Sequence, residues 1–141
     1  MIFVKKECMK QIILILVAFA LSVQAFSKEQ ESDVFVPIEK YIRLGDHESL
    51  AVWFANNLEL DIMGNINGCS KLQATQIIKD FFVTYKPSDF TIIHKSGKAP
   101  MKYAIGSLKA GGESFRVTLF VKIQPGGNQI QQLRIERDSR L

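Results

Sequence analysis

Between Ser70 and Arg137 the spacing of apolar residues changes once, and the change predicts a long helix followed by a sheet. Ala74, Ile77, Ile78, Phe81, Phe82 and Tyr85 recur at three- and four-residue steps, which gathers them on one helical face. Gln76, Lys79, Asp80 and Lys86 fall elsewhere. Ser70 and Gln73 have the spacing of a reciprocal capping box, so the helix is expected to begin there. Pro87 ends it, because proline has no N–H and pushes the preceding residue out of helical geometry. Beyond Pro87 the period falls to two. Phe90, Ile92 and His94 share one expected face, as do Phe115, Val117, Leu119, Val121 and Ile123 on a longer strand. Tyr103 with Ile105, and Leu133 with Ile135, mark two more strands. Ala110-Gly111-Gly112-Glu113 suits a tight hairpin and Pro125-Gly126-Gly127-Asn128 a longer reversal, and such short links predict antiparallel neighbours.

Upstream the pattern is shorter in range. Pro37 suits the first turn of a helix through Leu44, with Ile38, Tyr41 and Ile42 inward and Gly45 as its stop. Asp46 can cap a second helix with an inward face of Leu50, Trp53 and Phe54. Leu58 to Met63 alternates as a strand, with Leu58, Leu60 and Ile62 on one side and Glu59 and Asp61 on the other. Asn65 to Gly68 reads as a loop whose turn is Asn67-Gly68. Residues 26–34 are polar and charged, the composition of a flexible leader.

The first 25 residues change the picture of where the chain goes. Lys5, Lys6 and Lys10 precede the apolar run Ile12 to Leu21, and Ser22-Val23-Gln24-Ala25 supplies the residues that a signal peptidase reads. This predicts a secretory signal peptide cleaved after Ala25, with Met1 or Met9 as the start. The apolar run has ten residues, whereas a membrane span needs roughly 20. An exported periplasmic or secreted protein with no stable membrane anchor is expected. Cleavage would leave 116 residues, one domain at 35–138 large enough to fold without disulfides or metal. It would also leave 15 basic against 13 acidic side chains, a net charge of +2 spread along the chain. That is not the concentrated basic surface of a nucleic-acid binder.

Candidate chemistry is sparse. Cys69 would be the one cysteine left after cleavage, either a small apolar residue at a helix start or a thiol activated by the helix N-terminus. His47 and His94 stand far apart, so no metal-ligand spacing exists, and no cofactor is expected. Gly111-Gly112 precedes a strand and cannot cradle a phosphate at a helix N-terminus. Arg116 and Arg134 either reach an anionic ligand, pair with Glu136 or Glu113, or face solvent on the outside of the sheet. Opposite Phe115, Val117 and Leu119 lie Thr118 and Phe120, and neighbouring strands add Ile93 and Ala104, a partly apolar face suited to an interface.

The order helix, helix, strand, long helix and four strands resembles the cystatin-like, nuclear transport factor two-like α+β cone. Phe35-Val36-Pro37-Ile38-Glu39, Gly45-Asp46, Trp53-Phe54, His94-Lys95-Ser96-Gly97, Tyr103-Ala104-Ile105-Gly106, Phe115-Arg116-Val117 and Leu133-Arg134-Ile135-Glu136 look like those of a family of small exported bacterial proteins known as a domain of unknown function. The resemblance implies a curved antiparallel sheet packed on one long and two short helices, with a pocket between them. Tyr41, Trp53, His94, Tyr103 and Arg116 are the ligand-pocket candidates. It also implies a homodimer through the outer sheet face. Enzymes of this fold place a carboxylate and a tyrosine or histidine inside the pocket, yet Asp61 has the parity of an outward residue. The fold itself does not choose a function. A non-enzymatic module is therefore expected, binding a small ligand or an envelope protein. The alternative is an isomerase- or dehydratase-type enzyme using His94 and Tyr103.

Overall fold

A computed structural model describes residues 33–139, and the signal-peptide reading lies outside them. Three helices, α1 (Phe35–Leu44), α2 (His47–Ala51) and α3 (Lys71–Thr84), accompany six strands: β1 (Phe54–Ile62), β2 (Asn65–Ser70), β3 (Pro87–Lys98), β4 (Met101–Ala110), β5 (Glu113–Lys122) and β6 (Gln129–Arg137). The strands form one sheet in the order β2-β1-β6-β5-β4-β3. The α+β architecture expected from the sequence is present.

Local chemistry places the helices. Ser70 accepts a hydrogen bond from the Gln73 N–H at 3.2 Å, and Gln73 Oε1 accepts from the Ser70 N–H at 3.0 Å, closing the capping box of α3. Ala74, Ile78, Phe81 and Phe82 are its buried stripe. α1 ends at Gly45, whose φ of 66° is the left-handed geometry that glycine adopts without a Cβ clash. Asp46 caps α2 by accepting from the Ser49 N–H at 3.0 Å and the Ser49 hydroxyl at 2.7 Å. Those two hydrogen bonds hold the Asp46 carboxyl below its ordinary pKa. Asp33 and Val34, assigned to the leader by composition, belong to the folded part. Val34 is buried, and Asp33 accepts the Phe35 N–H and pairs with Lys95.

The sheet departs from the expectation in three places. α2 stops at Ala51, so Phe54 opens β1 instead of closing a helix, and Phe54 and Ala55 are both buried before a register shift ahead of Glu59. Asn65 to Gly68 is strand, and the turn lies earlier, at Met63 and Gly64, whose φ values of 52° and 89° are those of a two-residue hairpin. Finally, β1 runs parallel to β6, with Leu60 opposite Leu133 and Ile62 opposite Ile135. The other four pairings are antiparallel.

One sheet face meets the helices and carries the core. Phe90, Leu108, Phe115, Val117, Leu119, Ile130 and Leu133 are essentially inaccessible there, packed with Ile38, Leu50 and Ile78. Ala104 belongs to this face, not to the outer one, because its antiparallel partner is the buried Leu119. Gly106 lies in the same row, under the Phe90 ring: a Cβ there would sit 2.4 Å from Phe90 Cε2 and 2.5 Å from Cζ. Gly106→Ala is expected to lower unfolding stability by about 1–3 kcal/mol through overpacking, measured as a shift of the urea midpoint. Gly68→Ala, where a Cβ meets nothing within 4 Å, should leave that midpoint unchanged. Asp46 gives an acid-side expectation. Its folded pKa is depressed, so its contribution is complete above the ordinary carboxyl value and fades as pH falls through the folded value. Wild type and Asp46→Asn should therefore converge in stability on acidification, which urea titrations at a series of pH values would read.

Candidate functional site

The face of the sheet opposite the helices is built by alternation. Along β5, Phe115, Val117, Leu119 and Val121 turn to the core, so Arg116, Thr118 and Phe120 turn away. Register then carries the outer row sideways: Thr118 opposes Ile105 and Arg134, and Phe120 opposes Tyr103 and Gln132. At β3 the alternation breaks. Ile92 pairs with Gly106 but His94 pairs with Ile105, leaving Ile93 as an extra residue, 67% exposed, in a bulge. The bulge reverses the parity expected for His94. Phe90 and Ile92 face inward, whereas His94 joins the outer face beside Tyr103.

Three rings consequently form a row across β3, β4 and β5. The His94 and Tyr103 centroids are 5.9 Å apart, and those of Tyr103 and Phe120 are 5.7 Å apart. Tyr103, Phe120 and Thr118 are half-buried and His94 is exposed. Arg116 is exposed on the same face, opposite Glu136 in the register. The sequence thus brings His94, Tyr103, Thr118, Phe120 and Arg116 onto one surface. Tyr41 and Trp53 are not there: both are half-buried against the core on the helix side.

The far side of this face carries charge. Asp61, buried with 7% of its surface exposed, lies opposite Arg134, and its Oδ2 is 3.1 Å from Arg134 Nε. Arg134 Nε also lies 3.5 Å from Glu136 Oε1. It makes no directed hydrogen bond to either oxygen, so the contact is coulombic. Asp61 Oδ1 accepts the Gly64 N–H at 3.1 Å, which ties the β1–β2 turn to the same carboxylate. Gln132 donates to Glu59 beside it, at 3.1 Å. Asp61 faces outward, as its parity predicts, and is already engaged. The Asp61–Arg134 pair is the feature that sequence reasoning missed, since it needs the parallel β1–β6 register to exist.

The helix side offers rings where a pocket is expected. Phe81 and Tyr85 of the α3 end stand 5.3 and 5.1 Å from Phe115, centroid to centroid, and 5.2 Å from each other. Depressions lined by described residues include two beside Cys69. One, of about 350 Å³, lies between β2 and α3 and is lined by Asn67, Gly68, Cys69, Gln73, Gln76 and Ile77. The other, of about 500 Å³, reaches Asn57, Glu59 and Gln131. Burial raises the Cys69 thiol pKa, the opposite of activation. Among the described residues no three histidine, cysteine or acidic side chains gather as metal ligands, and no helix is long and apolar enough to cross a membrane.

Comparison with known proteins bears on this geometry. No curated protein is matched by the chain. A crystal structure of a DUF4783 family protein from Bacteroides uniformis superposes with a TM-score of 0.72 at 21% identity, covering 77% of this chain and 100% of that one. A DUF4783 family protein from Bacteroides fragilis gives 0.70 at 24% identity, over 75% and 100%. An NTF2-like protein of unknown function from Cytophaga hutchinsonii gives 0.54 at 9%, over 74% and 86%. These likenesses identify the fold as nuclear transport factor two-like. The family model described as "Domain of unknown function (DUF4783)" matches residues 35–136, and the chain belongs to that family.

Proposed function

We propose that the chain is an exported, non-enzymatic binding module, matured by cleavage after Ala25, that engages another envelope protein through the open face of its sheet. One observation carries the reading: the His94, Tyr103 and Phe120 rings form a contiguous row on the face opposite the helices. Aromatic side chains with polar tips supply contact area at little entropic cost, which suits protein interfaces. A small molecule needs a concave site that encloses it, and an open row of strands offers area without enclosure. Ile93, exposed in its bulge, extends the row toward the sheet edge. The same surface could receive a second copy of the chain, the homodimer that the fold resemblance implies.

A second reading, a small-molecule enzyme, is favoured by the ring contact of His94 with Tyr103. It would need a carboxylate within reach. Asp61 is three strands from Tyr103, about 14 Å at ordinary strand spacing, and is paired with Arg134. Replacing His94 and Tyr103 together would abolish such an activity.

The test places a photo-crosslinking phenylalanine analogue at Tyr103 in the full chain, in the exporting cell. An adduct with a second envelope protein, lost when Phe120→Lys is added, is the expected result. An adduct of twice the mature mass would assign the face to a homodimer, and no adduct at Tyr103, Thr118 or Phe120 would remove the open face as a binding surface. N-terminal sequencing of the recovered protein should begin at Phe26, and a start before residue 20 would overturn export.

A further inference from the structure

The two edges of the sheet are treated differently. At the β3 edge, α1 reaches over the outward main chain. Arg43 donates from Nε and Nη2 to the Phe90 carbonyl, both at 3.3 Å, and Glu39 Oε2 accepts the Ile92 N–H at 3.2 Å. Pro87, the bulge at Ile93, Lys95 and Lys98 add further obstacles to an incoming strand. Among the described residues, β2, the other terminal strand, has none of these. Its six residues, Asn65-Ile66-Asn67-Gly68-Cys69-Ser70, include no charge and no proline, and they pair with β1 in unbroken register.

The direction of the β2 main chain follows from its neighbours. The Met63 N–H donates to Ile135 of β6 at 2.8 Å, so alternate residues of β1 from Asp61 back also point to β6, and Ile62, Leu60 and Leu58 point to β2. Their partners Asn65, Asn67 and Cys69 therefore point to β1. Ile66 and Gly68 are left with N–H and C=O groups aimed outward, while the Ser70 N–H is taken by Gln73. A depression of about 350 Å³ lies beside this edge, between β2 and α3.

We propose that β2 is a self-pairing edge: it joins the β2 of a second copy, antiparallel, about a two-fold axis at Asn67. Several features fit that occupant. The two outward residues are spaced so that Ile66 of each copy opposes Gly68 of the other, and both exchange N–H···O=C bonds, four in all. Ile66, 63% exposed, is then laid over Gly68, where a Cβ position meets nothing within 4 Å. Both lie on the open-face side, opposite Asp61 and Glu59. Asn67 meets Asn67, and a carboxamide both donates and accepts, so identical partners satisfy one another where identical charges would repel. The result is one continuous sheet with the two open faces side by side. This pairing does not depend on what the open face binds.

The test uses Asn67→Cys in the full chain carrying Cys8→Ala and Cys69→Ala, recovered from the exporting cell. Opposed positions of a non-hydrogen-bonded antiparallel pair lie about 4.5 Å apart at Cα, inside the disulfide range of about 4.4–6.8 Å. Mild oxidation should convert most of the protein to a reducible dimer, with a yield at least about tenfold above that of a cysteine at exposed Lys109. Ile66→Pro, which removes an outward N–H but no bond to β1, should cut that yield to the Lys109 level. Ile66→Lys serves the same purpose should the proline variant fail to fold by circular dichroism. Sedimentation of the wild type should show a dimer that Ile66→Pro dissociates and Phe120→Lys does not. A yield at Asn67 no higher than at Lys109, or a dimer that Phe120→Lys dissociates and Ile66→Pro leaves intact, would overturn the inference. The failure of the open-face reading, by contrast, would show as absent adducts at Tyr103, Thr118 and Phe120.

Discussion

The parallel ladder between β1 and β6 is the constraint on which the rest of the fold depends. It joins a strand near the start of the folded part to the one at its end, and the hydrogen bonds from Met63 to Ile135 and from Ile130 to Trp53 extend it past both strand termini. Without it the β1–β2 hairpin would be an isolated two-stranded ribbon, which is marginal in water. With it, Leu60 and Leu133 become neighbours inside the core, and Asp61 and Arg134 become neighbours outside it. One register therefore sets both the packing and the charge pattern of the two faces.

That register also bears on where binding is sought. In this chain the large rings of Phe54, Phe81, Phe90 and Phe115 occupy the helix side of the sheet, and the contact of Phe81 and Tyr85 with Phe115 stitches α3 to it. Side chains with chemistry to offer have moved to the other surface. His94, Tyr103, Arg116 and Arg134 all lie there, each by a simple consequence of strand parity or of one bulge. These four residues come from four different strands, so the surface persists only while the sheet does.

Much of this was legible in the amino-acid order because it is local. The capping box and the apolar stripe of α3 lie within fifteen residues, and Gly111-Gly112 declares its hairpin by the positive φ that both residues adopt. β2 escaped notice because an edge strand buries little: Cys69 is its one buried residue, so no alternation reaches the sequence. The start of β1 was hidden by the irregularity between Phe54 and Glu59. Parallel pairing leaves no local trace at all. A single extra residue at Ile93 was enough to send His94 to the opposite face, since side-chain direction has a period of two. Ala104 departs from its expected outer face for a different reason. The large Tyr103 and Ile105 draw attention in β4, yet Ala104, Gly106, Leu108 and Ala110 are the inward row, small where Phe90 needs room.

The clasp of Arg43 and Glu39 on β3 has a consequence for how this protein fails. Both side chains hold main-chain atoms, so their grip is indifferent to what β3 displays and depends only on α1 staying wound. α1 is the first helix among the described residues. Its loss would bare a twelve-residue strand while the sheet behind remained intact. A native-like body with a freshly opened border is prone to precipitate, which makes α1 a guard of colloidal behaviour as much as a part of the core.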